Sequence, residues 1–192
     1  MTGVQTCALP ICAEGNLARV FGLRDRFAES RTLFESVRAR HEHADAARAW
    51  SWAFETVRQA QMERRAGRFD VALALLDQAE PIFVEALPES HPALAQPHRI
   101  RGQIALAQQR LDDAQHAFDR AAALIGDEGL AFDRAIVGAE QAAVAYARGD
   151  RTTATALLNK HLPILHAATL PTEVNRRQAD VLAGRLGVRV QP

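Results

Sequence analysis

At 192 residues, 48% apolar and 24% charged, the chain has the composition of a globular protein with a sizeable core, not of a disordered one. Lysine plus arginine balances aspartate plus glutamate at 23 each, which excludes a strong net field for gathering nucleic acid or an anionic membrane. The longest apolar runs, such as 121–125, fall far short of the roughly 20 residues a membrane span requires.

The opening MTGVQTCALPI follows no helical pattern and has neither the basic start nor the apolar stretch of a secretion signal. Residues 2–11 are what one reading frame of a common sequencing adapter encodes, and its leftover base supplies the first letter of a Cys codon at Cys12. Segment 1–12 is therefore expected to be adapter-derived or disordered, with Cys7 and Cys12 foreign to the natural protein; the rival reading is a short native tail. Two cysteines five positions apart make no metal site without further ligands, and no downstream cysteine can pair with them. A cysteine-free remainder suits any redox compartment, with the cytoplasm as the default.

A helical domain is expected over 13–187. Its first helix, about 14–22, is shorter than its counterparts, as a chain cut inside a repeat would be. A turn at 23–26 leads to a second helix over 27–40, with Phe27, Leu33, Phe34 and Val37 toward one side. Residues 41–45, HEHAD, form a polar connection in which Asp45 suits an N-cap. The helix over 46–65 carries Trp50, Ala53, Phe54, Val57 and Ala60 at spacings of three and four, and Gly67 lets the backbone leave it. Its partner, 69–87, turns Leu73, Leu76, Ala79 and Phe83 inward. Pro81 within it and Pro163 at the same phase further on should each bend or restart a helix.

PESHP at 88–92 is the clearest punctuation: Pro88 ends a helix, Ser90 can cap the next, and Pro92 suits a first turn. The third hairpin pairs a helix from 91 to 109, kinked or delayed by Pro97, with one over 111–125. GDEG at 126–129 is a loop, followed by an alanine-rich helix over 130–148 with Phe132, Ile136, Val144 and Tyr146. Asp150 then caps 151–167, which carries Ala154, Leu157, Leu158, Leu162 and Leu165. A last helix over 172–186, with Val174, Val181, Leu182 and Leu186 as its apolar stripe, leaves a wet face suited to closing a stack, and 188–192 is a tail.

One pattern returns along all of this. Turn residues stand at Asp25, Gly67, Gln109 and Gly149, at intervals of 42, 42 and 40. Five positions after each comes a small residue, Ser30, Ala72, Ala114 or Ala154. Four positions later comes Phe34, Leu76, Phe118 or Leu158, and seven before each turn stands Ala18, Ala60, Gly102 or Ala142. Such an interval with helical spacing on both sides of a short turn signals stacked helical hairpins, here about 14–40, 46–87, 91–125 and 130–167.

On these residues the chain resembles the tetratricopeptide repeat (TPR) family, in its longer form of about 42 residues found in kinesin light chains and bacterial signalling proteins. Gly67, Phe69, Ala72 and Ala79 match the turn glycine, the aromatic after it and the two packing alanines, and PESHP resembles the family's Gly-Pro-Asp-His-Pro linker. The departures are Glu63 and Ala105 where the first helix usually has an aromatic, and Arg151 where Phe or Leu is usual. The resemblance implies an all-α fold, a TPR-like right-handed α-solenoid of antiparallel hairpins with a C-terminal capping helix. The run 170–187 is also similar to the ends of bacterial serine/threonine kinases that carry such repeats.

No phosphate-binding glycine loop, HExxH or CxxC pair occurs downstream of the adapter-like segment. His41 and His43 share a connection but are two ligands at most, His161 and His166 are five apart and off a common face, and all seven histidines are expected at the surface or in caps. Pairs such as Asp112 with Asp113 and Asp77 with Glu80 are expected on solvated helix exteriors, away from the pocket that general acid/base work needs. No catalytic residue, metal or cofactor is therefore expected.

What the resemblance implies instead is a concave groove lined by the first helices. Its positions fall on Phe54, Val57, Gln61 and Arg64, then Gln96, Arg99 and Gln103, then Ile136 and Tyr146. The expected function is non-catalytic binding of a protein or peptide there, or scaffolding, as part of a larger bacterial regulatory protein in the cytoplasm. The alternative is the C-terminal fragment of an enzyme, a serine/threonine kinase foremost, whose catalytic domain lies outside this chain. Nucleic-acid binding is disfavoured by the balanced charge.

Overall fold

A computed structural model describes residues 8–40, 46–89, 91–127, 129–170 and 173–188. Among them are nine α-helices and no strand: α1 (Ala8–Leu23), α2 (Phe27–Ala39), α3 (Ala46–Arg65), α4 (Phe69–Ala86), α5 (Ala95–Ala107), α6 (Leu111–Ile125), α7 (Ala131–Ala147), α8 (Arg151–Ala168) and α9 (Val174–Leu186). A single 3-10 turn, Pro92–Leu94, precedes α5. The chain divides into two compact units, Met1–Glu89 and Ser90–Pro192. In the first, hairpin α1–α2 packs on hairpin α3–α4; in the second, α5–α6 packs on α7–α8, and α9 closes on α7 and α8.

The helices lie within two residues of the expected bounds except at two places: α5 begins only at Ala95, where a helix was expected from 91, and the start of the chain also differs. There α1 opens at Ala8, ahead of the expected position 14. Pro10 does not prevent this, because a first-turn N–H has no intrahelical partner to lose. The proposed caps Asp45 and Ser90, the pair His41 and His43, and the first turn proposed at Thr172 lie outside the described residues. Two other caps are made by His91, whose Nδ1 accepts from the Ala93 amide at 3.1 Å, and Asp150, whose Oδ1 accepts from Thr153 at 2.9 Å. Pro81 and Pro163 bend no helix into two: α4 and α8 run through them unbroken, with both rings on the solvent side.

Each hairpin closes with one geometry. The four turn residues all take positive φ: 60° at Asp25, 76° at Gly67, 60° at Gln109 and 83° at Gly149. The next amide then reaches back five residues, from Arg26 to Phe21, Arg68 to Glu63, Arg110 to Ala105 and Asp150 to Ala145, each at 2.9 Å. This is the left-handed C-terminal stop that satisfies two carbonyls otherwise orphaned at a helix end.

The core is built from the repeating frame. Ala18, Ala60, Ala142, Phe34, Leu76, Phe118, Leu158, Ala72, Ala114 and Ala154 have no accessible surface, and Ser30 and Gly102 are buried with them. Glycine at 102 is needed for space: a Cβ there would stand 2.7 Å from Cε1 of Phe118. In the second unit, Phe118, Ala121 and Leu124 of α6 meet Val137 and Val144 of α7. A second cluster joins Ile136, Leu158, Leu162 and Leu165 to Leu182 and Ala183 of α9.

Three departures from the sequence reading have physical causes. Trp50 lies at the rim of the stripe it was expected to bury, 36% exposed. Val181 is 57% exposed, because Ala179, Leu182 and Ala183 take the inward arc of α9. Glu63, where an aromatic is usual, is fully buried and charged: Arg31 of α2 donates to it from Nε at 2.9 Å and Arg68 pairs with it from the turn. Burial alone would raise the Glu63 pKa, but the two guanidinium groups prevail and hold it below the ordinary carboxylate value. A second arginine of α2, Arg38, donates to Gln59 of α3 at 3.0 Å and to Gln78 of α4 at 2.9 Å, with its guanidinium over the Trp52 ring. Hairpin one is thus fastened to hairpin two by polar bonds beside a small apolar cluster of Ala18, Phe34 and Met62.

Candidate functional site

In each unit the first helices of successive hairpins lie side by side, α1 against α3 in one, α5 against α7 and α7 against α9 in the other. Within each unit they form a layer of their own, and the expected groove positions are divided between the two layers.

On α3 the buried arc holds Ala53, Thr56, Ala60 and Glu63, so the free arc centres on Phe54. Trp50 stacks on Phe54 with ring centroids 5.5 Å apart and planes 9° from parallel, and the Arg58 guanidinium lies 4.5 Å from the Phe54 centroid. Arg58 also binds Glu55 at 3.1 Å. Burial raises the Glu55 pKa, and Arg58 offsets only part of that. Gln61 and Arg64 are half-buried, and Oε1 of Gln61 is buried without a hydrogen-bond partner. Val57 does not face out: three residues on from Phe54 it has turned about 60° toward the packed arc, and it is 3% exposed. Trp50 and Arg58, which bracket Phe54 at helical spacing, are the outward residues that the sequence reading missed.

The second unit places its polar side chains differently. Arg99 of α5 binds Glu140 of α7 with two parallel bonds, Nε to Oε2 at 2.9 Å and Nη2 to Oε1 at 2.7 Å. Its third arm donates to Gln96 Oε1 at 3.1 Å, and Gln103 donates to the same Glu140. Burial works against the Arg99 charge, yet Glu140, helped by Asp133 and Glu173, keeps its pKa above the usual value. The side chains of Arg99 and Glu140 are each only 12% exposed. Gln96, Arg99 and Gln103, expected to line a groove, instead come together around a carboxylate of the next hairpin. The available signal was a carboxylate one repeat downstream of an arginine at almost the same phase.

Ile136 and Tyr146 separate. Ile136, at 4% exposure, belongs to the apolar cluster of α7, α8 and α9, which draws the whole Ile136 face of α7 inward. Tyr146 stays half-buried near the end of α7, with Arg151 6.0 Å from its ring. That contact gives Arg151, exposed where Phe or Leu is usual, an aromatic neighbour. Among the described residues no three histidine, cysteine or carboxylate side chains cluster as metal ligands, and no helix is long and apolar enough to cross a membrane.

The tetratricopeptide repeat family matches residues 45–125. Those residues are tetratricopeptide repeats. The fold as a whole is that of the long, kinesin-light-chain-like form. The nearly identical TPR-like repeats attributed to a kinesin light chain of Podosopora anserina superimpose with a TM-score of 0.66 at 19% identity, over 92% of this chain and 85% of that one. BtubC (BKLC) of P. vanneervenii superimposes with a TM-score of 0.65 at 15% identity, over 89% of this chain and 76% of that one. No curated protein matches the sequence significantly. Tetratricopeptide repeats generally serve protein–protein contact and are typically non-catalytic.

Proposed function

We propose that this chain is a non-catalytic module that holds a peptide or partner protein against the first helices of its N-terminal unit, with α3 supplying the anchor. The observation that carries the reading is the stacked pair Trp50 and Phe54, each 36% exposed, with Arg58 over the Phe54 ring, on a helix whose other faces are packed. Rigid aromatic rings with a neighbouring arginine make strong anchor points, because they bury much apolar area at little entropic cost. In the second unit, taken by itself, Gln96, Arg99 and Gln103 hold α5 to α7, and Tyr146 is the groove position left half-buried there.

The linker and terminal likenesses support a place within a larger bacterial regulatory protein working in the cytoplasm as a scaffold. The balanced charge supports protein over nucleic acid as the partner. Peptides selected from a displayed library on the immobilised chain test the reading. A Trp50→Ala, Phe54→Ala double variant with unchanged helicity should bind them at least about tenfold more weakly, the size of one lost anchor; undiminished binding would refute it. Arg99→Glu is not a useful groove variant, since it sets two buried carboxylates against each other.

A further inference from the structure

Seven residues after the small residue that follows each turn, the second helices carry Val37, Ala79, Ala121 and, in α8, His161. Three of these are apolar packing residues; the fourth is an imidazole. It fits because the facing residue of α7 is Gly138, where a Cβ would stand 2.2 Å from Cδ2 and 2.3 Å from Nε2 of the ring. His161 is 7% exposed, contrary to the surface position expected for it, and its Nδ1 is buried with no hydrogen-bond partner.

The charges acting on this ring are cations. Lys160 neighbours it on α8, and Arg134 faces it from α7. Arg134 is itself engaged, donating to the carbonyls of Asp127 and Gly129 in the connection from α6 to α7. From α9, Asp180 binds His166 Nε2 at 2.6 Å, and Arg176 donates to the carbonyls of His166 and Thr169, so both are engaged further along α8. A neutral ring fills the Gly138 notch with one unpaired nitrogen, Nδ1, and no charge. A charged ring there would bring a second N–H to a site with no acceptor, and a positive charge to a site with positive neighbours.

We propose that His161 is an acid-sensitive latch: mild acid protonates it, and the α7–α8 contact at Gly138 loosens. The sign follows from burial, which with Lys160 and Arg134 holds the His161 pKa below its ordinary 6.5. The unfolded chain takes up a proton that the folded chain refuses, so this contribution is fully present above about pH 6.5 and declines as the pH falls below it. Because α7 also carries Glu140, which holds Arg99 of α5, the loosening extends to the floor of the first-helix layer in the same unit.

The test is hydrogen exchange of the full chain at pH 7.5 and 5.5, corrected for intrinsic rates, beside His161→Leu and the sister-repeat residue, His161→Ala. Opening of 131–168 in wild type should rise up to about tenfold at pH 5.5, the factor for a proton excluded one pH unit below the ordinary value. Both variants should show no such step. An equal rise in the variants overturns the latch. So does a His161 ring that titrates at or above 6.5 by NMR in the wild-type protein, a reading that stands even if a variant fails to fold.

Discussion

A side chain held in the left-handed region crowds its Cβ against the following carbonyl, at a cost of about 1–2 kcal/mol that glycine does not bear. Two hairpin turns use glycine there and two do not, although all four share the same hydrogen bonds. Gln109→Gly is therefore expected to stabilise the chain by about 1 kcal/mol and Gly149→Ala to destabilise it by a similar amount, read as opposite shifts of the urea midpoint. Asp25→Gly should gain less, since aspartate tolerates this region better than glutamine. These turn positions were legible because glycine or a polar residue recurs at a steady interval. The facing of single residues on α3 was less so. A stripe of Trp50, Phe54 and Val57 reads as one apolar face, and only the packing of neighbouring helices decides that Val57 goes in while Phe54 stays out.

At the scale of the helix pair, buried size and buried charge replace each other between repeats. Phe118 occupies the space that Gly102 leaves open, so Gly102→Ala forces the ring aside; the methyl should cost about 1–3 kcal/mol despite its better helix propensity. Glu63 fills an aromatic's position with a carboxylate neutralised from two sides, and Glu63→Gln should cost about 1–3 kcal/mol at neutral pH, because both guanidinium groups lose their counter-charge. Its folded pKa lies below the ordinary 4.5. The stability it lends is present above that value and lost as the pH falls through the lower, folded one. Acid titration of thermal stability should show this step in wild type and not in Glu63→Gln, well below the pH range in which His161 acts. Hairpin lengths and core positions were readable because helical periodicity is local. The bonds of Arg31 to Glu63 and of Arg99 to Glu140 were not, since each pairs residues tens of positions apart whose charges look solvated in sequence.

For the molecule as a whole, stacked repeats gain most of their stability from nearest neighbours, so damage should stay close to where it is made. Hydrogen exchange of Glu63→Gln should rise chiefly in α2, α3 and α4, and that of Gly102→Ala chiefly in α5, α6 and α7; a uniform rise in either variant would argue for all-or-none unfolding. The shared turn has a further consequence for how such a chain can change length. The segments 24–26, 66–68, 108–110 and 148–150 each span the same three positions between helices, and the amide bond across each is closed to within a fraction of an ångström. An inserted residue there would swing the whole following helix out of phase. Differences in length are left to the helices and the joints between hairpins, and there the interval falls from 42 to 40 residues while all four turns keep their three positions.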